Sequence, residues 1–139
     1  MDNLLDEFKR TAKANNVEVK EFAGIEGELE GLGYGGEEYF KKGLVGVVKA
    51  LCANAEEANA IVDVSSPEKL SCIIDVEKLI ILIDKDKIFE NMHKAYQEAY
   101  KSKSSDYMIF VSQESKTADI EKQLVSGVQA AKKLVFSVK

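Results

Sequence analysis

The chain has 139 residues, 45% hydrophobic and 31% charged, with a formal net charge of -5. That length makes one domain, taken here as 1–139, and that balance supplies one core and argues against disorder. An acidic chain is a poor match for a phosphate backbone, so nucleic acid is not expected as a partner.

The longest apolar run, Leu79-Ile80-Ile81-Leu82-Ile83, falls far short of the ~20 residues of a spanning helix. Met1-Asp2-Asn3-Leu4-Leu5-Asp6 lacks the basic start and long apolar stretch of a secretion signal. A cytoplasmic location away from membranes is therefore expected. Cys52 and Cys72 form no CxxC pair and cannot supply an iron–sulfur or zinc site by themselves. A disulfide is the alternative, but buried free thiols fit a reducing cytoplasm better. Neither a metal nor a cofactor is expected.

In chain order, Leu4, Leu5, Phe8 and Ala12 recur at helical spacing and predict a helix over Asp2 to Ala14, stopped by Asn15-Asn16. Val17, Val19 and Phe22 alternate as a short strand. Gly24 to Gly36, rich in Gly and Glu, reads as the least structured stretch. Tyr39, Phe40, Leu44, Val47 and Val48 suggest a return to helical packing, and Cys52 to Asn59 is ambiguous. Ala60 to Val64 is a strand, and Ser66 caps a short helix with Pro67 at its first position. Lys78 to Asp84 is a buried strand, and Ile88, Phe89, Met92, Tyr96, Ala99 and Tyr100 lie on one helical stripe. Tyr107 to Val111 is the next strand; Ile120, Leu124, Val125 and Val128 mark a helix, and Leu134 to Val138 a last strand. Strand, helix and strand in alternation imply a mainly parallel sheet with helices on both faces. Lys78–Ile83 and Tyr107–Val111 are expected as adjacent parallel strands joined by a crossover helix.

Four motifs bear on chemistry. Gly31-Leu32-Gly33-Tyr34-Gly35-Gly36 is a literal GxGxxG, but Glu26, Glu28, Glu30, Glu37 and Glu38 surround it. That is repulsive company for a pyrophosphate, so a loop is the default reading. His93 is the only histidine and lies mid-helix, which leaves triad and zinc-hydrolase mechanisms with little support. Asp84, Asp86 and Lys87 follow a strand, where α/β ligands gather, though the plain reading makes Asp86 the cap of a following helix. Ser115-Lys116-Thr117-Ala118-Asp119-Ile120-Glu121 opens a helix after a strand: Thr117 suits a cap, Asp119 and Glu121 the first turn, and the position also suits a site.

Ser115-x-Thr117-Ala118-Asp119-Ile120-Glu121, then Leu124-Val125-x-Gly127-Val128 and the strand Leu134 to Val138, resembles the C-terminal signature of the lactate-utilisation (LUD, LutC-like) family. Leu70-Ser71-Cys72-Ile73-Ile74 with Lys78 to Asp84 is similar to that family's central strand and helix. Val45-Gly46-Val47 through Ala53, Ala55-Glu56 and Ile61-Val62 resembles its strand-and-turn segment, which usually carries Ala-Glu-Thr-Gly. The chain departs at Glu57-Ala58, in place of Thr-Gly, and at Gly127-Val128-Gln129-Ala130-Ala131, in place of Gly-Val-His-Gly-Pro. It is also short before Val45.

The resemblance implies a three-layer α/β/α fold like the NagB/RpiA/CoA-transferase group, and a non-redox role in an iron–sulfur L-lactate oxidation system whose cluster ligands belong to partner subunits. It also suggests a small anionic ligand, with Glu56, Glu57, Ser115, Thr117, Asp119 and Gly127 as the candidate contacts. The rival readings are a CoA-transferase or sugar-phosphate type of enzyme using Glu56 or Glu57 as nucleophile or base, and a structural domain without a ligand.

Overall fold

The computed structural model describes residues 3–102, 107–112, 125–129 and 132–139. In chain order the helices are α1 (Asn3–Ala14), α2 (Phe22–Leu32), α3 (Pro67–Ile74) and α4 (Met92–Ser102). The strands are β1 (Glu18–Glu21), β2 (Tyr39–Lys42), β3 (Val45–Lys49), β4 (Cys52–Asn54), β5 (Asn59–Asp63), β6 (Lys78–Ile83), β7 (Ile88–Phe89), β8 (Met108–Ser112), β9 (Val125–Gln129) and β10 (Lys133–Val138).

The α1 stripe buries Phe8 and Ala12 completely, and Phe8 meets the ring of Phe136 at 5.2 Å between centroids. The helix stops where the asparagine pair predicts. Asn16 takes φ 63, a left-handed conformation that asparagine tolerates, and the Asn16 and Val17 N–H groups return to the Lys13 and Ala12 carbonyls. Ser66 caps α3 by accepting from the Lys69 N–H, with Pro67 following, as its sequence requires.

Gly24 to Gly36 is not a loop. Most of it is α2, whose Ile25 and Leu29 are buried against β3, β6 and β10 at Val47, Ile80 and Val135. Two buried anchors outweigh the low helix propensity of Gly24, Gly27 and Gly31. A Cβ at Gly27 would meet nothing within 4 Å, and its φ is not left-handed. Gly27→Ala should therefore raise stability by about 0.5–1 kcal/mol, read as a later urea midpoint. An unchanged midpoint would mean that this helical face is occupied.

Residues 39–48 form a β-hairpin rather than a helix. Tyr39 to Lys42 pair antiparallel with Val48 to Val45, across a two-residue loop in which Gly43 takes φ 61. The apolar spacing there fits two short strands as well as one helical face.

Among the described residues, ten strands divide into two five-stranded sheets, β1-β10-β6-β3-β2 and β7-β4-β5-β8-β9. In the first, all pairings are parallel except β2–β3. The expected adjacency of Lys78–Ile83 and Tyr107–Val111 is thus overturned: β6 pairs with β10 and β3, whereas β8 pairs antiparallel with β5 and parallel with β9 in the other sheet. The helix between them, α4, does not cross over one sheet. It covers the outer face of the second sheet, burying Met92, Ala95, Tyr96 and Ala99 on Cys52, Ile61, Met108 and Phe110. Periodicity shows that a helix has an apolar face but not which sheet receives it. That helix also starts later than its stripe suggests, because Ile88–Phe89 is the short strand β7. Val125 and Val128 lie in β9 rather than in a helix, in keeping with their β-branched side chains. Ile120 and Leu124 fall outside the described residues.

The architecture is α/β, with helices on both faces of the first sheet: α2 covers one face, and α1 and α3 cover the other together with the inner face of the second sheet. Phe136, Leu79, Ile81 and Val48 meet Ala53, Val62, Ile109 and Val111 in that shared core. The strands β10, β6 and β3 are apolar on both faces, as sandwiched parallel strands must be. Among the described residues, no helix is long and apolar enough to cross a membrane.

Candidate functional site

Three parallel strands end side by side. Beyond Lys49 of β3 comes Ala50, beyond Ile83 of β6 comes Asp84, and beyond Val138 of β10 comes Lys139. A crevice of about 490 Å³ opens at these carboxyl ends, the position at which open α/β sheets hold their ligands. It reaches from the start of α2, at Phe22, to Tyr34 and Gly36 in the loop after that helix.

The polar groups in it favour an anion. Glu21, at the N-cap of α2, makes no side-chain cap, and its carboxylate is instead paired with Lys9 at 3.0 Å. The first N–H groups of α2 therefore keep their partial positive charge at the crevice. The Lys139 ammonium sits 4.7 Å above the Phe22 ring, a cation–π contact that holds it at this helix end. Lys49 stands at the opposite rim.

Between them lies Ser137. It shares a face with Val135, on the α2 side of β10, and is 1% exposed. Its Oγ is buried and, among the described residues, has no hydrogen-bond partner. A hydroxyl in that condition costs about 1–3 kcal/mol, and an alanine or valine would fill the place without the cost. Asp84 also lines the crevice while its carboxylate accepts from the Asp86 N–H at 2.9 Å. The capping residue is thus Asp84, not Asp86, and it opens only a 3-10 turn, Lys85–Lys87. The helix α4 is capped separately, by Asn91 accepting from the Lys94 N–H.

The loop between α2 and β2 is braced. Gly33 takes φ 90, and the Tyr34 N–H returns to the Leu29 carbonyl. The Tyr34 hydroxyl donates to the Glu37 carbonyl at 2.6 Å, and the Glu37 carboxylate accepts from the Gly35 N–H at 2.7 Å. Hydrogen bonds from its own backbone N–H and from that of Gly35 hold the Glu37 carboxyl below the usual range, while burial and the nearby Glu37 and Glu38 push the Tyr34 phenol up. The GxGxxG is thus the end of a helix, not its beginning. A helix C-terminus carries the wrong partial charge for pyrophosphate, although Tyr34 and Gly36 still reach the crevice rim.

Of the sequence-predicted candidates, the described ones, Glu56, Glu57 and Gly127, do not line this crevice. Glu56 and Glu57 are exposed on the turn between β4 and β5. Asn54 and Asn59, both buried, bond across the base of that turn, where the Asn54 amide oxygen accepts from the Glu57 N–H at 2.8 Å and Asn59 donates to the Glu57 carboxylate at 3.3 Å. Asn15 donates to the Glu57 carbonyl. Since Asn15 lies just ahead of β1, with Asn16 and Val17 between them, the turn sits at the amino end of the first sheet, opposite the crevice. Ser115, Thr117 and Asp119 lie outside the described residues. Gly127 pairs with Phe110 in the second sheet.

His93 is exposed on α4. Both cysteines are buried and free, and burial pushes the Cys52 thiol up to about 12 and raises that of Cys72. A thiol so protonated is a poor nucleophile. Among the described residues, no three histidines, cysteines or carboxylates gather as a metal would need.

A family model for the LUD domain matches residues 36–136. The chain belongs to the LUD domain family. The match runs from ahead of β2 into β10 and leaves outside it α1, β1, α2 and the chain from Ser137 onward. Among solved structures, this LUD domain is similar to a DUF162 family protein from Deinococcus radiodurans, with a TM-score of 0.62 at 12% identity over 96% of this chain and 94% of the other. At that identity the likeness is one of fold. No curated protein sequence matches.

Proposed function

We propose that this LUD domain is a non-redox binding domain that holds a small organic anion at the carboxyl ends of β3, β6 and β10. On the family resemblance, its place is that of the LutC-type component in the cytoplasm, beside the iron–sulfur subunits of L-lactate oxidation. The observation that carries the binding reading is the buried, unpartnered Ser137 hydroxyl in a crevice that also receives the uncapped start of α2 and two lysines. A ligand oxygen at this position would supply the missing partner and remove that cost.

The test is Ser137→Ala, followed by thermal unfolding with and without acetate, L-lactate and inorganic phosphate. Without ligand the variant should be more stable than the parent by about 1 kcal/mol. With ligand, the stabilisation seen in the parent should be cut at least several-fold. A variant that is less stable and equally responsive to anions would assign Ser137 a packing role and remove the basis for this site. Purification of the chain with iron–sulfur subunits encoded beside it would support the proposed assembly, and its absence from such a complex would oppose it.

A further inference from the structure

We infer that the ligand is an amphipathic monocarboxylate, an acid head joined to an apolar body, rather than a bare inorganic anion. This rests on the binding role proposed above. The start of α2, Lys139 over Phe22 and Ser137 cluster where β1 and β10 end, with Lys49 alone at the far rim beyond β3. From there the crevice runs across β6 to β3, two inter-strand steps or about 10 Å. Along that run it is walled by half-buried Leu82, Ala50 and Tyr34.

Tyr34 presents a fixed wall. Its ring stands edge-on to Phe40 at 5.7 Å, and its hydroxyl is already committed to the Glu37 carbonyl. The volume, about 490 Å³, lies within the range of sites that bury whole organic molecules. An inorganic anion would leave this apolar wall in contact with water.

The choice of carboxylate over phosphate ester follows from the charges. Asp84 lines the same crevice as Lys49 and Lys139. Lys49 and Lys139 against Asp84 leave one positive charge beside the start of α2, which a monoanion balances and a dianion exceeds. The carboxylate head accepts the Ser137 hydroxyl proton in a hydrogen bond and satisfies the α2 N–H groups, and the body lies against Leu82.

The experiment is calorimetric titration of the full chain with four probes: acetate, inorganic phosphate, 3-phenylpropionate and phenyl phosphate. The parent should bind 3-phenylpropionate at least 10-fold more tightly than acetate or either phosphate. Leu82→Thr should lose most of that preference while keeping its weak response to acetate. Ser137→Ala should weaken every probe. Equal binding of acetate and 3-phenylpropionate overturns the amphipathic assignment and leaves anion binding standing. Tighter binding of phenyl phosphate than of 3-phenylpropionate overturns the carboxylate assignment. No heat with any probe, on a chain whose far-ultraviolet circular dichroism is native, overturns both this inference and the binding role beneath it.

Discussion

Gly46→Ala should cost about 3 kcal/mol of stability, among the largest effects available from adding a single methyl group to this chain. Gly46 lies in β3 on the face turned toward α3. A Cβ there would stand 1.9 Å from the Cys72 carbonyl oxygen, 3.0 Å from the Cys72 carbonyl carbon and 3.2 Å from Val76 Cγ1. Two of those three atoms are backbone, so no rotamer change relieves the overlap. The helix α3 would have to retreat, but Ser66 fixes its start and buried Cys72 and Ile73 seat it in the shared core. Nor can β3 retreat, because it is paired with β6 on one side and β2 on the other. The glycine is present for space rather than for its dihedral angles, since its φ is not left-handed. Urea unfolding followed by circular dichroism should show the midpoint falling with the slope retained. A loss below about 1 kcal/mol would mean that α3 rides more loosely on the sheet than this packing implies.

The second large effect is expected at Lys69. Its side chain is 2% exposed, and its ammonium reaches Glu38 at 3.2 Å, whose own side chain is 58% exposed. The pair is lopsided, with a buried cation held by a carboxylate that water can still reach. Lys69→Ala empties a buried volume comparable to that of a methionine and should cost about 2–3 kcal/mol. Lys69→Met keeps the stem and removes the charge that needs a partner, so it should lie within about 1 kcal/mol of the parent. Glu38→Gln leaves the ammonium without its counter-charge. Because solvent already screens Glu38, the expected loss is nearer 1 kcal/mol than the several that a wholly buried pair would show. The order Ala, then Gln, then Met in decreasing damage is the checkable content. If Lys69→Met proved the most damaging of the three, the charge itself would be what holds α3 to the loop ahead of β2.

The elements that were legible in the sequence are those whose local signals agree with their tertiary role. Ser66-Pro67 predicts and delivers the start of α3. Phe8 and Ala12 recur at helical spacing and bury one stripe. Leu79 to Ile83 is apolar throughout, and β6 is sandwiched on both faces. Illegible were elements whose signals compete. Three glycines argue against α2, and only its contact with the sheet overrules them. The spacing of Tyr39, Phe40, Leu44 and Val47 fits two periods at once, and the Gly43 turn decides between them. The division into two sheets was hidden because strand composition does not encode which strand is the neighbour.

The crevice was half legible. The rule that ligands collect at the carboxyl ends of strands pointed to Asp84, which does line it. Ser137 carried a signal that went unread, being the one hydroxyl inside the otherwise apolar run Leu134-Val135-Phe136-Ser137-Val138. A polar side chain in a strand buried on both faces needs a reason. Phe22 and Lys139 carried none, because their contact joins residues 117 positions apart in sequence and exists only once the sheet has formed.

That long separation is a property of the first sheet as a whole. The strand β10 lies between β1 and β6, and among the described residues β1 is paired with β10 alone. Until residues 133–138 have left the ribosome, β1 has no neighbour and β6 keeps an open edge of unpaired N–H and carbonyl groups. The sheet therefore closes only after synthesis of this segment, by inserting its last strand between two that have been waiting for it. Contacts of such high sequence separation slow folding, and the open edges are surfaces to which another nascent chain could add a strand. The interval before closure is when this protein depends most on being kept apart from its own copies.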